Sequence, residues 1–366
     1  MKKVYETDLL VIGGGAAGLC AAAEAAGAGA NVTVIESDLH PGGQLVKQTH
    51  KFFGSRDEYA GTRGYKIADI LLDEIKALGD KVTIRCNSTV TGCYPEDNCW
   101  TVMEGEDDYY RIKAKKAVIS TGAQEKILPF PNNDIPGVYG AGAVQTLMNV
   151  YGVVPGKKVV MVGAGNIGLI VSYQLTQAGV EVAAVVEAMP KIGGYWVHAA
   201  KIRRLGIPIL LRHTVLEAIG DKTLEGVVIS EIDDKFQPIG EPKKIDCDII
   251  CIAVGLTPTT ELFWQAGCKM RFVPQLCGYV PFRDGGMRTS NPDIWVAGDA
   301  SGIEEASAAM VEGRIAGFGA AKALGYKVNE EKFDEFWKRL SNLRAGEVGE
   351  KIKAGIAQVK VEGWEA

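Results

Sequence analysis

Gly13, Gly15 and Gly18 stand in GGGAAG, between the apolar run TDLLVI at residues 7–12 and an alanine-rich stretch, with NVTVIE at 31–36 closing on Glu36. A strand, a tight turn and a helix in that order point backbone amides at a pyrophosphate, and an acid ending the next strand accepts from a ribose. Ala16 and Ala17 fill the turn, and Ser37 follows the acid. The same grammar returns in KKVVMVGAGNIGLIVSYQLTQAGVEVAAVVE at 157–187, with Gly163, Gly165, Asn166, Ile167, Gly168 and then Glu187. Glu187 suits ribose hydroxyls and repels a 2′-phosphate, and Lys191 is the nearby cation, so this site favours NADH over NADPH. Two dinucleotide sites need not hold one molecule. A nicotinamide carrier paired with a flavin would pass a hydride between rings.

The remaining elements must bring further groups to these turns. IKAKKAVISTGA at 112–123 reads as a strand ending in small residues, Thr121 and Gly122 among them. PKKIDCDIICIAVGLTP at 242–258 repeats that form and supplies Gly255. Pro129, Pro131 and Pro136 with Gly137 read as a link between modules. In MRTSNPDIWVAGDASG, 287–302, a buried strand Ile294 to Ala297 leads to Gly298 and Asp299, ahead of a helix expected from Ile303 to Leu324. Asp299 either caps that helix or accepts from a sugar-like hydroxyl chain.

Length and composition set the frame. A chain of 366 residues, 47% hydrophobic and with 45 glycines, suits two soluble modules with many tight turns. The net charge of −5 and the lack of a dense basic run give no reason to expect nucleic acid. LLVIGGGAAGLCAAA at 9–23, behind Met1-Lys2-Lys3, is broken by three glycines and is too short to span a bilayer. That predicts a cytoplasmic protein without a membrane span. The 8 cysteines include no C-x-x-C pair, and no Cys/His spacing predicts a metal site.

The assembled pattern resembles the two-dinucleotide-domain flavoproteins that include thioredoxin reductase and the pyridine nucleotide-disulfide oxidoreductases. The resemblance implies an α/β fold of two Rossmann-like three-layer domains. An NAD(H) domain, 128–243, would be inserted in an FAD domain made of 1–127 and 244–326, before a helical tail, 327–366. It assigns GGGAAG, STGA and GDA to FAD and GAGNIG to NAD. It also makes Gly43, Gln44 and Leu45 a loop beside the flavin. Residues 140–166 and 262–300 look like the alpha subunits of opine, sarcosine, hydroxyproline and proline oxidases or dehydrogenases, and like the large subunit of hydrogen cyanide synthase. That likeness implies an oligomer with a partner flavoprotein or iron-sulfur electron-transfer subunit.

Departures from the pattern carry weight. Neither the segment following Gly43 nor residues 126–240 supply the redox cysteine pair of the disulfide reductases, so electrons would leave without thiol exchange. No cysteine follows Cys277, which leaves out the [2Fe-2S] segment many such alpha chains carry. In parts of that family, moreover, the first site carries NAD or ATP in place of FAD.

Near the expected flavin loop, His50 is a candidate to move a proton and Lys47 to oppose charge on reduced flavin; both also suit a solvated loop. His198 and His213 read as packing or surface residues. Before Tyr195-Trp196, Gly193-Gly194 echoes Gly42-Gly43 at the same distance from its motif, either as a domain duplication or as the setting for an aromatic ring near nicotinamide. Cys247 and Cys251 fall on one face of an expected strand, and Cys268 and Cys277 flank an expected hairpin as separate thiols. In the tail, Phe333, Phe336, Trp337 and Leu340 form an apolar stripe for the chain's own first domain or for a second polypeptide. The sequence thus predicts an FAD- and NADH-linked oxidoreductase. Its alternatives are a non-redox nucleotide-binding scaffold subunit and a stand-alone amine dehydrogenase.

Overall fold

The computed structural model describes residues 3–363. Met1 and Lys2, at the front of the apolar run, and residues 364–366 of the tail lie outside the described residues. The chain divides into two compact units, Met1–Gln124 with Thr257–Ala366, and Glu125–Leu256.

The first unit begins with β1 (Val4–Ile12), buried from Thr7 onward, then α1 (Ala16–Gly27) and β2 (Val32–Ile35). After them come α2 (Gly64–Ala77), β3 (Val82–Arg85), β4 (Ser88–Tyr94), β5 (Cys99–Glu104) and β6 (Asp108–Ile119). The strands form one sheet in the order β3-β2-β1-β6-β5-β4. The pairs around β1 are parallel, whereas β4, β5 and β6 run antiparallel. Helices cover β1, so its apolar run shows no alternation of inside and outside. β7 (Ala123–Glu125) then leads away.

The second unit repeats the plan. β8 (Val138–Gly140), α3 (Ala141–Asn149), β9 (Lys158–Val162), α4 (Asn166–Gln177), β10 (Glu181–Glu187), α5 (Trp196–Arg204) and β11 (Ile209–Leu211) come first. β12 (His213–Ile219), β13 (Gly226–Ile232) and β14 (Pro238–Asp246) form an antiparallel sheet before β15 (Ile249–Ile252). The parallel sheet has the order β11-β10-β9-β15-β8. This unit therefore runs past residue 243, where the sequence reading returns to the first domain, because β15 pairs with β9 and β8. Cys247 precedes β15 and Cys251 lies within it, so the two do not share a strand as expected.

β16 (Leu256–Pro258) brings the chain back to α6 (Glu261–Gln265), the hairpin β17 (Met270–Val273) and β18 (Gly278–Pro281), and β19 (Ile294–Val296), which joins β6 in parallel. Cys268 precedes that hairpin and bonds Thr289, and Cys277 is a separate thiol. α7 (Ala306–Ala323) lies against α1. A β-carbon on Gly313 or Gly317 would fall 2.1 Å from the Ala17 carbonyl oxygen or 2.3 Å from that of Ala21, so these glycines set the helix separation.

α8 (Glu330–Leu343) and α9 (Gly346–Ile356) complete the first unit. Asn329 caps α8 by accepting the Glu331 amide at 3.1 Å. The stripe faces inward: Phe336 and Leu340 join the first unit's core, and Phe333 and Trp337 pack beside them. Each fully buried side chain of this size contributes about 1.5–3 kcal/mol. Trp337 also donates its ring N–H to the Gly285 carbonyl at 3.0 Å. The stripe is thus taken up by the chain's own first unit.

Candidate functional site

In the first unit, Gly13 (φ 101°) turns the chain from β1 into α1 so closely under Ser120 that a β-carbon would lie 2.4 Å from that residue's carbonyl oxygen. Gly18 is tighter, 1.8 Å from the Gly13 carbonyl oxygen. Ser120 ties the strand ends by donating to the Ile12 and Gly13 carbonyls, each at 3.0 Å. Gly15 differs, since a β-carbon there meets only Gly43, at 3.8 Å. Gly15 is the N-cap of α1 and offers no side chain to the first amides of the helix. Uncapped amides beside an open glycine suit an anionic pyrophosphate.

Glu36 is buried and held by its own chain. Oε2 accepts the Gly14 amide at 2.8 Å, and Oε1 accepts the Asp38 amide at 2.8 Å and the Ser37 hydroxyl at 3.2 Å. The carboxylate is fixed at the end of β2, where a ribose would meet its remaining lone pairs. Gly42 donates to the Gly14 carbonyl at 2.8 Å and so brings Gly43 alongside Gly15.

Asp299 closes this site from the far end of the sequence. A β-carbon on Gly298 would meet Ala17 Cβ at 2.9 Å, which places the Gly298–Ser301 turn at the start of α1. The N-cap of α7 is Glu305, so Asp299 is not the helix cap. Its carboxylate accepts the Glu304 amide at a long 3.4 Å. Burial lifts the Asp299 carboxyl to about 7; the Glu304 amide opposes this, while Glu312, Glu304 and Glu305 add to it. A half-buried carboxylate so poorly served fits a chain of hydroxyl donors.

The second unit reproduces the cradle. Gly163 lies under Ala253 as Gly13 lies under Ser120, with a β-carbon 2.3 Å from the Ala253 carbonyl oxygen. Glu187 Oε2 accepts the Ala164 amide at 2.7 Å and Oε1 the Met189 amide at 2.9 Å. Gly165 has nothing within 4 Å of a β-carbon and leaves α4 without a side-chain cap. Gly193 and Gly194 both donate to the Ala164 carbonyl, in the place Gly42 takes in the first unit. Asn166 accepts the Tyr195 amide at 2.8 Å, and Ile167 is partly exposed in the first turn of α4. Gly255 lies just past the Ala253 crossing and accepts the Lys126 amide at 2.9 Å.

Other residues singled out in the sequence fall differently. Leu45 is in the core, so its side chain serves packing and leaves only its backbone near Gly43. Thr121 spends its hydroxyl on the Thr259 carbonyl at 2.8 Å, and Gly122 accepts the Thr259 amide. Ala17 is buried, Ala16 half-buried, and Gln44 exposed beside Gly43. Lys47 ends the short helix Gly43–Lys47, and the His50 ring stacks on Phe52 at 5.9 Å. His198 is buried, whereas Trp196 is exposed.

Six of the thiols are held away from the thiolate form. Burial is the main cause at each, lifting Cys20 to about 11 and Cys93 and Cys247 to about 12, and raising Cys86, Cys251 and Cys268. No helix among the described residues is long and apolar enough to cross a membrane. Two residues were not evident in the sequence, Glu312 and Arg344, and STGA gave no sign that Ser120 ties the strand ends together. Glu312 is the one acid within the apolar run ASAAMVEGRIAGFGAA, a signal that a partner must come from elsewhere in the chain.

A model of the pyridine nucleotide-disulphide oxidoreductase family matches residues 7–313. An opine oxidase subunit of Agrobacterium tumefaciens (strain Ach5) is 27% identical over 326 residues, covering 86% of this chain. The match takes in 65% of that relative, so the chain spans less than two thirds of its length. The crystal structure of L-proline dehydrogenase from P. horikoshii is similar with a TM-score of 0.69 at 25% identity, over 92% of this chain and 60% of that one. Thioredoxin reductase of T. acidophilum, at 24% identity, shares the fold with a TM-score of 0.70 over 87% of this chain and 98% of its own.

Proposed function

Because the chain belongs to the pyridine nucleotide-disulphide oxidoreductase family, we propose that it is an NADH-linked flavoprotein, with FAD in the first unit and NAD(H) in the second. On this reading the NAD(H) unit is inserted between two parts of the FAD unit. Asp299 supports the assignment, because a ribityl chain offers the hydroxyl donors that this carboxylate lacks within its own chain. When bound, the two groups supply hydride transfer from nicotinamide to flavin.

The chain's own residues bind and orient. Gly15 and the first amides of α1 receive the FAD pyrophosphate, Glu36 its adenosine ribose, and Asp299 its hydroxyl chain. Gly165, the amides of α4 and Glu187 do the same for NAD(H), and the Glu187 charge selects against a 2′-phosphate. Lys47 opposes negative charge on the flavin side, and His50 moves or holds a proton there. The candidate acceptor is a partner flavoprotein or iron-sulfur subunit, with this chain as the alpha-type member of an amine or amino-acid dehydrogenase complex. Two observations support that step: the resemblance to the opine oxidase chain, and six thiols held away from the thiolate form that disulfide exchange needs.

Extraction of the cofactor from purified protein tests the assignment, together with Asp299→Ala. The expected result is FAD from the wild type, a variant that loses FAD, and NADH binding that persists in both. An adenine nucleotide without flavin would overturn it and leave the scaffold reading.

A further inference from the structure

Asp299 sits on a turn gripped from the tail. Glu312, on the buried face of α7, accepts the Gly298 amide at 3.1 Å and the Ser301 hydroxyl at 2.7 Å through Oε2. Its Oε1 accepts Arg344 Nη2 at 2.5 Å. Arg344 lies at the junction of α8 and α9, is itself buried, and also binds Glu304, with Nε 2.9 Å from Oε1. Glu304 is the residue whose amide reaches the Asp299 carboxylate. One guanidinium therefore joins the acid that holds the turn on either side of Asp299 and the acid whose backbone serves Asp299 itself.

Such a network is not explained by stability alone. Buried charges surrender hydration, and apolar residues of equal volume often hold a fold as well or better. What an apolar replacement cannot do is fix the direction of the Gly298 amide and the Ser301 hydroxyl. The tail has other ties that do not reach the turn, such as Lys332 to Glu24 at 2.7 Å.

We propose that Arg344 is a positioning residue for the first dinucleotide site: through Glu312 and Glu304 it sets the Gly298–Ser301 turn and so the Asp299 carboxylate, which makes the folded tail part of that site. The proposal rests on the reading of that site as the FAD site. Removing Arg344 frees the turn, and the carboxylate no longer meets a bound hydroxyl chain at fixed distance.

The test uses the full chain as wild type, Arg344→Ala, Arg344→Lys and Lys332→Ala, with two readouts: hydrogen exchange of the 298–301 amides, and FAD affinity by titration. Arg344→Ala is expected to speed exchange and weaken FAD binding, each roughly 10- to 100-fold, the range of a lost charge-assisted bond. Arg344→Lys recovers part of both, and Lys332→Ala leaves both within about twofold, because the Lys332–Glu24 pair makes no bond to the 298–301 turn. The proposal is overturned by unchanged FAD affinity in Arg344→Ala, or by an equal loss in Lys332→Ala. Should Arg344→Ala fail to fold, Ser301→Ala removes one bond from Glu312 to the turn; a severalfold weaker FAD affinity supports the positioning role and an unchanged one overturns it. If the wild type binds no FAD, the cofactor reading fails instead. Exchange then decides whether Arg344 holds the turn: faster exchange in Arg344→Ala keeps that role, and unchanged exchange removes it.

Discussion

The Ala164 amide donates to Glu187 Oε2 at 2.7 Å, which pins a carboxylate at the end of β10 beside the start of α4. Gly14 makes the same bond to Glu36 at 2.8 Å in the first unit. The bond fixes the acid and leaves lone pairs for a ribose. Replacing Glu187 with alanine is expected to weaken NADH binding roughly 10-fold and to narrow the preference over NADPH, since a ribose acceptor and a charge opposed to the 2′-phosphate go together. Parallel titrations with the two nucleotides measure this.

Two glycines of the second cradle should separate packing from binding. A β-carbon on Gly168 would lie 2.1 Å from the Gly163 carbonyl oxygen, whereas one on Gly165 meets nothing within 4 Å. Gly168→Ala is expected to destabilise by about 1–3 kcal/mol or more through overpacking. Gly165→Ala should keep its stability within about 0.5 kcal/mol and yet lose NADH affinity, because the methyl enters the space meant for the pyrophosphate. Thermal unfolding and NADH titration on both variants provide the comparison.

Much of this was legible in the sequence because glycine turns and strand-end acids are local features. GGGAAG with Glu36 and GAGNIG with Glu187 carry their partners within one strand-helix-strand unit. Long-range relations were not legible. Nothing near Glu312 in the chain announces Arg344, and the spacing of Phe336 and Leu340 fixes a helical face without saying what covers it. The end of the second unit is not legible locally, because IICI suits a buried strand of either sheet. Only its pairing with β9 decides. The helix expected from Ile303 begins at Ala306, since the residues before it make the Asp299 turn and the approach to the Glu305 cap.

Asp299 predicts a pH dependence of the cofactor-free protein. Its ordinary value of 3.8 rises to about 7 on folding, chiefly through burial. Between those values the folded chain retains a proton that the unfolded chain has released, so stability falls as pH rises through that window. Asp299→Asn should remove that part of the slope. Denaturant unfolding at several pH values between about 4 and 7 is the measurement.

Asp8 predicts the opposite sign. Burial raises its carboxyl, but bonds from Lys115, the Asn31 backbone and Tyr326 outweigh that and hold it at about 2 against an ordinary 3.8. The stabilisation is present above the ordinary value and disappears as pH falls toward 2. Asp8→Asn should therefore be less stable near neutrality and flatter in acid. Acid unfolding of the two proteins, followed by circular dichroism, checks it.

The most direct measurement is an anaerobic titration of the purified, FAD-loaded chain with NADH, followed by visible absorption. The flavin colour should bleach as about one equivalent of NADH is consumed, hydride transfer being a two-electron step. The same protein carrying Glu187→Ala should need more NADH to bleach. A chain that takes up no flavin, or one whose bound flavin keeps its colour under excess NADH, would contradict the account.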